Sequence, residues 1–179
     1  VVNFNLAKEN KKELNAQGVW QGLEDPTLNL DLEFDGLDLE FLSPLGKDAI
    51  QNIGGSIKGN VNLWGPLSQL KHNGLLSLES SKISIPFLNI DYQAADTEVV
   101  LLNQDFIFKK TKLFEQAEKT SASLEGTFSH VNFKDWSLDL NVDSDRMLLL
   151  DPPQEPESLF FGQGFLDGNL KIKGPTKNL

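Results

Sequence analysis

LNLDLEFDGLDLEF, residues 28–41, alternates apolar and polar side chains, the period of a β-strand with one buried face and not of a helix. Leu28, Leu30, Leu32 and Phe34 share one parity, and after Asp35-Gly36 the apolar positions Leu37, Leu39 and Phe41 continue on the other. A bulge or tight turn at the Asp-Gly step keeps all seven on one side of a sheet.

The same alternation recurs outward from this stretch. It places Ile57, Val61, Leu63, Leu76, Leu78, Ile83, Ile85, Phe106, Phe108, Leu124, Phe128, Leu138, Leu140, Leu170 and Ile172 in the interior. Val99 to Leu102 are four apolar residues in a row, so their facing stays open. Turn signals separate the runs at His72-Asn73-Gly74, at Leu102-Asn103-Gln104-Asp105 and in DPPQEPES, residues 151–158, which reads as a loop. One stretch departs from the pattern. In SPLGKDAIQNIGG, Leu45, Ala49, Ile50 and Ile53 have helical spacing, Ser43 is placed to cap and Pro44 to start a turn, which predicts a short helix over 44–53.

Two glycine-rich runs align. GSIKGNVNLWGP begins at Gly55 and GFLDGNLKIKGP at Gly164, so Gly55, Gly59, Gly65 and Pro66 map onto Gly164, Gly168, Gly174 and Pro175. A phosphate-binding loop needs a helix after its glycines to supply aligned N–H donors. Here Asn60-Val61-Asn62-Leu63-Trp64 reads as strand and no Gly-Lys-Ser/Thr follows, so the glycines are read as strand kinks closed by a Gly-Pro turn. The chain reads as a single segment, 1–179, of a longer repeat-built rod, with repeats starting near 55 and 164.

Composition removes several function classes. A net charge of −10, with Arg146 the single arginine, opposes binding to nucleic-acid phosphates. The absence of cysteine rules out disulfides, thiolate metal sites and a cysteine nucleophile. His72 and His130, the two histidines, lie far apart near strand ends, and a surface role is expected for them. Asp31, Glu33, Asp35, Asp38 and Glu40 are spaced as the wet face of a strand and not as a calcium loop. No serine stands in a nucleophile-elbow pattern, so nothing in the residues points to an enzyme, to a cofactor or to a metal. Trp20, Trp64 and Trp136 could stack on sugars in a glycan-binding repeat, but packing within a sheet explains them as well.

The run LSPLGKDAIQNIGGSIKGNVNLWGPLSQLKHNGLLSLESSKISIPFLNIDY, residues 42–92, resembles the C-terminal region of TamB-like translocation and assembly module proteins. The features that carry the resemblance are Gly55, Gly59, Gly65-Pro66, the Asn73-Gly74 step and Tyr92. LEGTFSHVNFKDWSLDLNVDSDRMLLLD at 124–151 and LFFGQGFLDGNLKIKGPTKNL at 159–179 are similar to Bacteroidetes-type members. The resemblance implies an all-β fold, a long antiparallel-rich sheet curled into a β-taco or half-pipe with an apolar concave face. It places the chain with AsmA-like, bridge-forming lipid-transfer proteins.

It further implies a periplasmic segment of an inner-membrane-anchored protein of a Gram-negative bacterium, with an Omp85-type outer-membrane barrel as partner. The implied function is conduction of phospholipids between the membranes in support of outer-membrane biogenesis, the fifteen interior residues lining the groove against acyl chains. A different function, chaperone-like binding of outer-membrane protein strands by β-augmentation, fits the same pattern. Read without the resemblance, the fifteen side chains would equally fill a dry sandwich core.

Overall fold

In the computed structural model, residues 1–8, 11–43, 50–153 and 161–176 are described. The alternating runs become eleven strands: β1 (Val2–Lys8), β2 (Lys11–Gln21), β3 (Thr27–Asp38), β4 (Gln51–Pro66), β5 (Lys71–Ile85), β6 (Ile90–Ala94), β7 (Thr97–Asn103), β8 (Asp105–Glu115), β9 (Thr120–Val131), β10 (Lys134–Leu150) and β11 (Gly164–Pro175). All belong to one sheet, and every pairing is antiparallel. β6 and β7 lie end to end between β5 and β8, each pairing with both, so together they fill one strand position. The sheet is therefore a meander in which, β6 and β7 counted as one position, each strand lies antiparallel beside its predecessor, as short connections between antiparallel neighbours permit.

Long strands stay in one sheet here because a line of irregularities crosses it. β3 shifts register between Asp35 and Leu37, with Gly36 at φ 85°, the parity change its sequence foretells. β4 shifts on both sides of Gly54, and β5 answers with Ser80 at φ 51°, its N–H bonded to the Asp96 carboxylate at 2.9 Å. Ala95 and Asp96 separate β6 from β7, β8 shifts between Phe108 and Thr111, and β10 shifts near Ser144 to Arg146. Each bulge adds a residue and sharpens the local twist. Each also flips the parity, so Leu76 and Leu78 before the shift share a face with Ile83 and Ile85 after it.

The break divides the packed residues in two. One cluster joins Leu39, Ile57, Val61, Leu76, Val99 and Leu101; the other joins Ile90, Tyr92, Ala122, Val142, Met147 and Leu148. Val99 and Leu101 are buried while Leu102 is exposed, which settles the facing of the four-residue apolar run.

The helix expected over 44–53 needs correction at its end. Residues 44–49 lie outside the described residues, but Gln51 to Ile53 already belong to β4, with Gln51 opposite Ser84. Asn52 takes φ 51° and two register shifts surround Gly54, so the last three residues of the expected helix belong to an irregular stretch of strand. Ile53 packs against the first cluster from the strand. The proline-rich loop at 151–158 lies mostly outside the described residues; Asp151 at its start bonds to the Leu88 carbonyl at 2.8 Å.

Gly59 shows what the sheet asks of its glycines. At φ +134°, an added Cβ would stand 2.1 Å from the Leu75 carbonyl oxygen, whereas at Gly168, φ +113°, nothing lies within 4 Å. Both positions strain an alanine through φ, but only Gly59 adds a collision with backbone. Gly59→Ala is expected to cost at least about 1 kcal/mol more than Gly168→Ala in urea unfolding; equal losses would mean that the close approach is absent.

Candidate functional site

Cross-strand register puts all fifteen predicted interior residues on one face. Ile57 stands opposite Leu78, Ile83 opposite Tyr92 and Ile85 opposite Ile90, and Phe106 and Phe128 pair across β8 and β9. Phe128 faces Leu138 and Leu124 faces Val142, and Leu140 and Val142 face Ile172 and Leu170. Ile57, Val61 and Leu76 are buried, and the other twelve are half-buried. The same face runs on through Leu28, Leu30, Leu32 and Phe34 of β3 to Ala16 and Trp20 of β2 and Phe4 and Leu6 of β1. There it opens: Phe4, Leu6 and Trp20 are 53%, 42% and 48% exposed. The opposite face carries Asp31, Glu33, Asn60, Asn62, Glu125, Asp139 and Asn141, which alternate with these residues along their strands. Asn62 ties that face together, bonding Asn29 and Asp31 at 2.9 Å each.

His72 and His130 are not at the surface. They are 1% and 2% exposed, and their Nε2 atoms lie 2.8 Å apart, although β7 and β8 separate their strands in the sheet. Three strand spacings come to about 14 Å in a flat sheet, so the contact exists only because the sheet bends sharply across β5 to β9. Aromatic rings enclose the pair. Phe106 is 4.6 Å from the His72 ring, and Phe133 and Trp136 are 4.2 and 4.9 Å from the His130 ring.

The hydrogen bonds fix the tautomers. The Phe133 N–H donates to His130 Nδ1 at 2.9 Å, so neutral His130 carries its proton on Nε2 and donates it to His72 Nε2. His72 then holds its proton on Nδ1, a buried atom without a hydrogen-bond partner among the described residues. Burial, with the neighbouring His130, pushes the His72 pKa down to about 4; burial also lowers that of His130, against an opposing pull from Asp105.

The turns around the pair are laced together. Asn132, in the β9–β10 turn, accepts from Leu70 N–H at 3.1 Å and donates to the Leu67 carbonyl at 2.9 Å, both in the β4–β5 turn. The His130 N–H donates to the Gln104 carbonyl between β7 and β8 at 3.0 Å. A second bridge closes the other end of the sheet. Tyr92 on β6 donates to the Leu148 carbonyl on β10 at 2.9 Å across β8 and β9, and burial, with Glu115 nearby, raises the Tyr92 pKa to about 12. Sequence reading missed these bridges because their partners are 58 and 56 residues apart; the one available signal was that both histidines fall on the apolar parity of their strands.

Recesses among the described residues are shallow. One of about 790 Å³ lies over β8 to β11, between Lys109, Glu125, Asp139 and Lys173; another of about 690 Å³ lies at the Tyr92 end. No group of three or more metal-ligating side chains occurs among the described residues, and no helix there is long and apolar enough to cross a membrane.

Residues 109–179, from β8 onward, match the family model described as the TamB C-terminal domain. This part of the chain is TamB-like. The TamB-like stretch holds His130 and Leu148 and the shared-face residues from Leu113 to Ile172, so one partner of each bridge lies inside it. The likeness spans 71 of the 179 residues. Searches of curated proteins and of solved structures return no match.

The histidine pair predicts a pH dependence. Unfolded His72 takes up a proton near pH 6.5 but the folded residue only near pH 4. Its contribution to stability is therefore complete above 6.5 and falls as the pH drops through that window, by at most about 1.4 kcal/mol per unit. Replacing both residues, as His72→Leu with His130→Leu, removes the buried polar pair together and should flatten this part of the profile relative to the parent. Urea midpoints at pH 7, 6 and 5 measure it, and parallel profiles would contradict the assignment.

Proposed function

We propose that the shared face carries phospholipid acyl chains, and that the chain is one stretch of a periplasmic conduit linking the inner and outer membranes with an Omp85-type barrel as its outer partner. The observation that carries this reading is the continuity of one face across all strand positions, built from branched aliphatics and phenylalanines and opening at Phe4, Leu6 and Trp20. Sequestering acyl chain is worth about 0.8 kcal/mol per methylene, so a few methylenes hold a lipid against water. A face without regular polar anchors does not fix it in place. The opposite face is mainly polar, and its apolar side chains, the row Leu75, Val100 and Ile107 with Val19, Leu102 and Phe114, form no comparable continuous surface. No bond is made or broken in this role, which is transport and not catalysis.

A photoreactive residue at Leu63, Leu140 or Trp20 should crosslink to phospholipid when the chain is mixed with vesicles, while one at Asp139, on the opposite face, should not. Leu63→Arg should cut the yield from Leu140 several-fold in a chain whose circular dichroism is unchanged. Equal labelling from Asp139, or full capture by the folded Leu63→Arg chain, would overturn the proposal.

A further inference from the structure

β4 and β11 share their glycine pattern, and each is held by its preceding strand in one register. Leu28, Leu30, Leu32 and Phe34 face Gly65, Leu63, Val61 and Gly59; Leu138, Leu140, Val142 and Ser144 face Gly174, Ile172, Leu170 and Gly168. The likeness stops at Gly164, which packs against Leu150, whereas Gly55 has φ +109°.

On its other side β4 meets β5, with Gly59 opposite Leu76 and Val61 opposite Gly74. A Cβ on Gly59 would lie 2.1 Å from the Leu75 carbonyl oxygen, and one on Gly74 2.2 Å from that of Asn60. The two strands approach this closely because each offers glycine at the contact. Gly168 and Gly174 hold the same positive-φ backbone, +113° and +150°, yet nothing among the described residues comes within 4 Å of where their Cβ atoms would be. β11 thus has the backbone shape of a strand with a close neighbour, on an edge where no described residue supplies one.

We propose that the outer edge of β11 is a docking edge for an antiparallel strand of the β5 pattern, with glycine opposite Leu170 and an aliphatic residue opposite Gly168. Main-chain hydrogen bonds supply affinity. The glycine supplies selection, because a side chain there would run into the Asn169 carbonyl as one on Gly74 would run into that of Asn60. The inference does not depend on what the apolar face carries.

The chain has no cysteine, so introduced thiols report register directly. The test uses the 179-residue chain and a peptide of residues 72–85, leaving out Lys71, which would face Lys173. Asn60 stands opposite Leu75 and Lys58 opposite Ser77. Asn169→Cys should therefore form a disulfide with a Leu75→Cys peptide at least about tenfold faster than with a Ser77→Cys peptide, and Asp167→Cys should reverse the preference. A Gly74→Val change in the peptide should abolish capture by both. Capture without register preference, equal capture of the Gly74→Val peptide or of an outer-membrane barrel strand peptide, or pairing of Asn169→Cys chains with one another ahead of the peptide would each overturn the proposal.

Discussion

Strands three positions apart touch at both ends of this sheet, and the rest of the structure follows from that bend. The His72–His130 bond joins β5 to β9 and the Tyr92–Leu148 bond joins β6 to β10. In a flat sheet neither pair is within reach. Because they meet, side chains that would each pack only against adjacent strands gather into two buried clusters, although among the described residues no second layer of secondary structure lies over the sheet.

The bend has an identifiable backbone origin. Bulges at Asp35-Gly36, at Gly54, at Ser80, after Phe108 and around Ser144, with the Ala95-Asp96 break between β6 and β7, fall on β3, β4, β5, β8 and β10, so their twists add along a line instead of cancelling. Glycines let neighbouring backbones close up where a side chain would hold them apart, as at Gly59. Polar capture fixes the result, with Asn132 clasping the β4–β5 turn and the Asp96 carboxylate holding the Ser80 N–H.

Much of the fold was legible because alternation is a local property. Leu28 to Phe34, Leu138 to Val142 and the other predicted interior residues fall on one face as their parity required, and Gly36 sits at a register shift as the Asp-Gly step implied. Reading failed where bulges changed the period. Around Gly54 the two-residue rhythm lapses, and the helix expected to run to residue 53 gives way to strand by Gln51. It failed again for the histidines, whose distance along the chain gave no hint that bending brings them together.

Sequence alone determined which side of each strand is apolar, where the parity changes, and that one face of the whole sheet is continuous, because a pleated strand sends successive side chains to opposite sides whatever its neighbours do. Only the tertiary structure decided how far the sheet bends, that His72 and His130 become one buried pair with their protons placed by the Phe133 N–H, and that Gly168 keeps its close-approach backbone at an edge. Those properties arise from twist summed over many strands and from contacts between residues more than fifty positions apart, and no local period encodes them.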